Sequence, residues 1–196
     1  MINNPYFPLK PGNVFIYSGN TDEGSEVLQI IVSHRKKTIL SVECIIVNET
    51  VTVDGILVEV AMNWYAQDQE GNVWYFGEDS KEYKNGQVIS TKGSWKAGVN
   101  GAQQGIIMKA HPVVGDIYQQ EFAPSVAEDM AQVLSKDKEV KVPYGNFDHC
   151  LFTKEWSPLE HGITEYKYYA KGVGFVLGLT DGGKRLVLRN VFHMSL

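Results

Sequence analysis

The chain has 196 residues, 43% hydrophobic and 21% charged, with a formal net charge of −5. That length can bury its own core. The acidic balance leaves no basic stripe to neutralise phosphates, which excludes nucleic acid as a partner class, and no stretch approaches the roughly 18 apolar residues of a membrane-crossing helix.

Taken in chain order, the first residues Met1-Ile2-Asn3-Asn4-Pro5 show no basic region followed by an apolar one, so they do not read as a signal peptide. Pro11-Gly12 then precedes a strand over residues 14–17. The basic run His34-Arg35-Lys36-Lys37 lies between two strand-like segments and reads as a solvated hairpin turn. Cys44 follows inside an apolar strand. Asp54-Gly55 marks the next turn, since Asp-Gly accepts the positive φ angles of tight hairpins.

Residues 57–67 carry the clearest signal. Val58, Val60, Met62, Trp64 and Ala66 alternate with Leu57, Glu59, Ala61, Asn63, Tyr65 and Gln67. Successive strand side chains point to opposite faces, so the even positions read as the core face and the odd ones as a mixed face. Asp68-Gln69-Glu70-Gly71-Asn72 resembles an acidic calcium loop, but the strand at 73–76 interrupts any twelve-residue pattern, leaving a polar hairpin turn. Asn85-Gly86 marks another turn.

Residues 92–115, spaced by Gly93, Gly98, Gly101, Gly105 and Gly115, have little periodicity and read as a long irregular loop. His111, Glu121 and Asp129, with Asp116 and Glu128 nearby, form a candidate metal or acid–base set, although no H-E-x-x-H spacing supports it. Ser125 with Glu128 resembles a capping box, while residues 129–135 and 138–142 read as a hairpin across Lys136-Asp137. Cys150 lies in a second apolar strand, and His149 beside it points to the opposite face, a poor geometry for a thiolate–imidazole pair. The two cysteines read as buried thiols, or as a disulfide in an oxidising compartment. The glycines of Lys171-Gly172-Val173-Gly174 and Gly178 suit a bend in a curved sheet, and Asp181-Gly182-Gly183 marks the last hairpin.

Two stretches resemble each other. Cys44 precedes Trp64-Tyr65-Ala66, and Cys150 precedes Tyr168-Tyr169-Ala170. Each triplet leads through a glycine-containing turn to an apolar strand. The expected organisation is one β domain over 1–196, with repeated units at about 38–91 and 143–192 and an irregular insert at about 92–128. The expected fold class is mainly β: a curved antiparallel sheet, half-barrel or open barrel.

The phrases Asn4-Pro5-Tyr6-Phe7-Pro8-Leu9-Lys10-Pro11-Gly12, Trp64-Tyr65-Ala66-Gln67-Asp68, Val142-Pro143-Tyr144-Gly145-Asn146-Phe147 and Tyr168-Tyr169-Ala170-Lys171-Gly172 span most of the chain. They resemble a family of uncharacterised bacterial exported proteins, many of them lipoproteins, related to the TapB-like proteins. The resemblance implies a strongly curved sheet, comparable to the half-barrel of the LolA and LolB lipoprotein carriers, and an exported, envelope-associated location. It implies no catalytic residue, and the lipid-bearing cysteine of many members is not in this chain.

The expected function is therefore non-enzymatic binding of an apolar, lipid-like or peptide-like partner, with no cofactor. Trp64, Trp74, Trp95, Trp156, Tyr168 and Phe175 are the candidate aromatic contacts. A metal-binding or hydrolytic site in residues 92–130, and an envelope protein-interaction module using sheet edges, are the alternatives.

Overall fold

Alternating side chains and tight turns give antiparallel strands throughout. In the computed structural model, which describes residues 1–194, fifteen strands share one sheet and no helix occurs among the described residues. β1 (Asn13–Thr21), β2 (Gly24–Ile39), β3 (Val42–Val53), β4 (Ile56–Gln67) and β5 (Val73–Lys84) form one meander. The short β6 (Gln87–Ser90), β7 (Trp95–Lys96) and β8 (Gln103–Met108) all pair with β5. After β9 (Ile117–Gln119) and β10 (Glu121–Phe122) comes a second meander. It comprises β11 (Met130–Val142), β12 (Gly145–Trp156), β13 (Glu165–Ala170), β14 (Gly174–Thr180) and β15 (Arg185–His193), and β15 pairs with β1.

The sheet curls until its ends meet. β9 pairs with β11 and β10 with β8, yet only Gln120 separates β9 from β10. One kinked segment thus links both ends of the strand order, and the result is a nearly closed barrel with one open seam. Gly105 on β8 permits the closure: a Cβ there would lie 2.2 Å from the Gln120 carbonyl oxygen. The curved antiparallel sheet expected from sequence is present, closed further than a half-barrel.

The two stretches that resemble each other in sequence pair in similar registers. Ile45 faces Tyr65 across β3 and β4, and Leu151 faces Tyr169 across β12 and β13. Tyr65 then faces Tyr75, and Tyr169 faces Phe175. Each unit is entered through a long hairpin interrupted by bulges, β2–β3 at Val32/Lys36 and β11–β12 between Val133 and Val140. Bulges bend a strand without ending its pairing. The β11–β12 tip folds back towards β15, where the Tyr144 amide donates to the Leu188 carbonyl at 3.2 Å.

Residues 1–12 cross the barrel end that holds the 68–72 and 171–173 turns. Asn4 fixes this strap. Fully buried, it donates to the carbonyls of Gly71 (2.9 Å) and Lys109 (3.1 Å) and accepts from the Tyr6 amide (2.9 Å). The Gly172 amide donates to the Pro5 carbonyl at 2.7 Å, and Ile2, Tyr6 and Leu9 are buried against the core.

Three local expectations need correction. The basic run at 34–37 lies within β2 beside its bulge, and the turn comes later, at Leu40 and Ser41 (φ 48° and 65°). Residues 129–142 form no hairpin. Neither Lys136 nor Asp137 has positive φ, and the strand instead bulges, with the Asp137 amide bonded to Ser135 Oγ at 3.2 Å. The 92–128 insert is held to the sheet by four short strands, β7 to β10. The Ser125–Glu128 pair makes one bond of a capping box, from the Ser125 amide to Glu128 Oε1 at 2.8 Å, but within a turn bridged by Ala123 and Ala127.

Candidate ligand cavity

Pleating decides which residues face the barrel interior. On β1 these include Phe15 and Tyr17, on β2 Leu28 and Ile30, and on β3 Val47 and Glu49. On β4 the inward face is the odd one. Tyr65 lines the interior, and Glu59 accepts a hydrogen bond from the buried Ser80 hydroxyl of β5 at 2.9 Å. The mixed face of the 57–67 pattern therefore looks inward.

Between these walls lies a cavity of about 480 Å³. The strap supplies its floor with Phe7, Pro8 and Leu9, and β14 supplies Phe175. Aromatic rings brace it: Tyr65 stacks on Tyr75 at 4.7 Å and meets Phe7 edge-on at 5.3 Å, and Tyr17 lies 5.2 Å from Phe175. Tyr17 is fully buried, and its hydroxyl donates to the Phe175 carbonyl at 2.9 Å. At the opposite end, beside the 180–185 turn, the cavity is edged by Glu26, Thr180, Lys184 and Arg185. Lys184 is turned to Asp22 at 2.9 Å.

A polar belt crosses the middle. Glu49 keeps some access to the cavity yet sits deep in the protein, and it makes no ion pair among the described residues. Burial, reinforced by the neighbouring Glu59 carboxylate, pushes Glu49 up to about 7. Burial together with Glu49 and Glu59 does the same for Glu78 of β5, also to about 7. Glu121 is raised well above the ordinary carboxylate range by burial and then by Asp129 and Glu78. Across the barrel, Lys167 of β13 is held between Glu155 (2.8 Å) and Glu165 (3.2 Å). Burial alone would lower the Lys167 ammonium, but these carboxylates outweigh it and hold it well above its usual range. Glu155 also accepts from Thr153 Oγ1 (2.8 Å) and Tyr169 Oη (3.0 Å). Among the described residues four buried side-chain donors lack partners: Trp64 Nε1, Trp95 Nε1, Tyr118 Oη and Gln120 Nε2.

Of the six aromatic candidates, only Phe175 lines the cavity. Trp64 is buried on the opposite face of β4, with the Lys37 ammonium 3.4 Å from its ring centre. Trp74 donates from Nε1 to Asp68 at 2.8 Å and so ties down the 68–72 turn. Trp95 packs edge-on against Tyr75 at 5.3 Å. Trp156 ends β12 with Lys154 near its ring, and Tyr168 stacks on Phe152 at 4.5 Å. The cavity instead takes the next residue in each repeated triplet, Tyr65 and Tyr169. The signal for them is the alternation itself, once the odd face of residues 57–67 is assigned to the interior.

The His111, Glu121 and Asp129 set is split. His111 is exposed in the 109–116 loop, whereas Glu121 and Asp129 are partly buried and near enough for the Asp129 charge, after burial, to raise the Glu121 carboxyl. No three His, Cys, Asp or Glu side chains converge to hold a metal ion among the described residues. Cys44 and Cys150 are free, buried thiols, both pushed up to about 11, chiefly by burial. At neutral pH they are inert.

No protein-family model and no curated protein matches the chain. One solved structure is similar in outline: the crystal structure of a "putative lipoprotein" from Parabacteroides distasonis ATCC 8503, at 16% identity and TM-score 0.48, covering 95% of this chain and 98% of that one.

Proposed function

We propose that the chain is a non-enzymatic binding protein that holds an apolar, lipid-like small molecule inside its barrel. The observation that carries this reading is the cavity of about 480 Å³, walled by aromatic and aliphatic side chains and floored by the strap. Its volume suits one small ligand rather than a threaded peptide. Burial of an alkyl chain there releases about 0.8 kcal/mol per methylene, enough for a short chain to bind without any specific polar contact. An exported, envelope-associated location goes with this reading on the resemblance of the strand-and-turn phrases to the exported, lipoprotein-rich family.

Titration with the neutral fluorophore N-phenyl-1-naphthylamine tests the proposal. Saturable binding is expected, and Leu28→Trp, which fills the hollow from β2, is expected to weaken it by about tenfold or more through steric overpacking. Equal binding by the wild type and a folded Leu28→Trp variant would place the fluorophore elsewhere and reject the reading.

A further inference from the structure

We infer that the preferred guest is a cationic amphiphile, an alkylammonium whose charged head is received at the Glu49 belt while its chain occupies the Phe15–Tyr65–Phe175 hollow. This deepens the reading above and rests on it. Three observations on the inner wall converge.

The first is a set of carboxyls without cationic partners. Glu49, Glu59 and Glu78 stand on three adjacent strands, none forms an ion pair among the described residues, and Glu49 is the one of the three that lines the cavity. Glu49 lies opposite Ala61, so Glu59 is its diagonal neighbour, and Glu78 lies opposite Asn63. Inward diagonal neighbours on adjacent strands approach within about 7–8 Å. The one cation on the far wall, Lys167, is already held by Glu155 and Glu165. Lys184 and Arg185 are exposed at the rim, where bulk water solvates them.

The second is the aromatic wall beside these carboxylates. Tyr17, Tyr65 and Glu49 line the same cavity. An ammonium gains from ring faces as well as from carboxylates, and more so when desolvated. An anionic head would meet the same wall as a repulsive surface.

The third is an unfilled polar position in the belt. Tyr118 is more than nine-tenths buried, faces Glu155 and Lys167, and its hydroxyl has no hydrogen-bond partner. Buried polar groups are nearly always paired, so an orphan hydroxyl beside Lys167, which lines the cavity, leaves a bond open to a further group. A hydroxyl oxygen can accept from an ammonium.

The test compares three guests of equal chain length, decylammonium, decanol and decanoate, by calorimetry and native mass spectrometry on the full chain at neutral pH. Decylammonium is expected to bind about tenfold or more tightly than decanol, and decanoate more weakly than decanol. Glu49→Gln is expected to bring decylammonium to within about threefold of decanol, the charge preference being lost. Melting curves confirm folding, and Glu78→Gln gives the same readout if Glu49→Gln does not fold. Binding of decanol with no preference for the ammonium, or a preference that survives both substitutions, would overturn this inference alone. Failure of all three guests to bind would overturn the binding reading itself.

Discussion

Glu49 carries the most informative electrostatics in the molecule. A carboxyl whose value is about 4.5 in the unfolded chain stands at about 7 when folded, as does Glu78. Between these values the folded state binds more protons than the unfolded one, so stability falls as pH rises from about 4.5 to about 7 and stays low above it. Asp68 and Asp116 are shifted the other way. Burial raises Asp68, but hydrogen bonds from Trp74 and Asn72 outweigh it, and the Lys109 contact at 2.6 Å leads the lowering of Asp116. Their contribution is complete above pH 4 and does not mask the trend. The melting temperature is therefore expected to be higher at pH 5.5 than at pH 8 by about 5 °C or more, with that slope reduced in Glu49→Gln and reduced further when Glu78→Gln is added. Differential scanning calorimetry across this range is the check, and a flat or rising profile would refute the assignment. The single residue is also where sequence reading stops. Nothing local distinguishes Glu49 from an exposed strand glutamate such as Glu43; the difference arises from which strands curl around it.

At the scale of elements, the strap and the seam make the strongest demands. Asn4→Ala removes three hydrogen bonds from a fully buried site and strands two carbonyls without a partner. A loss of about 2–4 kcal/mol in stability is expected by denaturant titration, accompanied by faster amide exchange at Tyr6 and Leu9. Gly105→Val drives a side chain against the Gln119–Gln120 backbone, where even a Cβ meets oxygen at 2.2 Å. It is expected to cost about 3 kcal/mol and to release β9 and β10 in hydrogen exchange before the two meanders open. An exchange pattern in which the seam stays as protected as β3 and β4 would contradict the closure described. The strands and most hairpins are legible in the sequence because period-2 alternation and Asp-Gly or Asn-Gly turns act locally. The facing of β4 is not. An interior that borders a cavity tolerates Glu59 and Asn63, so the more uniformly apolar face, Val58 to Ala66, reads as the cavity side although it points away from the cavity, where Trp64 and Ala66 are buried. Nor is the Leu40-Ser41 turn legible, since positive φ at non-glycine residues is set by the strands on either side.

The whole molecule joins these scales. Two similar meanders meet at β1 and β15, a kinked segment links their far edges, and an N-terminal strap covers one end. The product is a barrel whose interior is not filled by its own side chains, and the binding reading depends on that hollow more than on any residue. Crystallography under xenon pressure tests it most directly, because xenon enters apolar cavities that water leaves empty. The expected result is a xenon site bounded by Phe15, Tyr65 and Phe175, which disappears in Leu28→Trp. An interior found collapsed, with those rings in mutual contact and no xenon between them, would contradict the account.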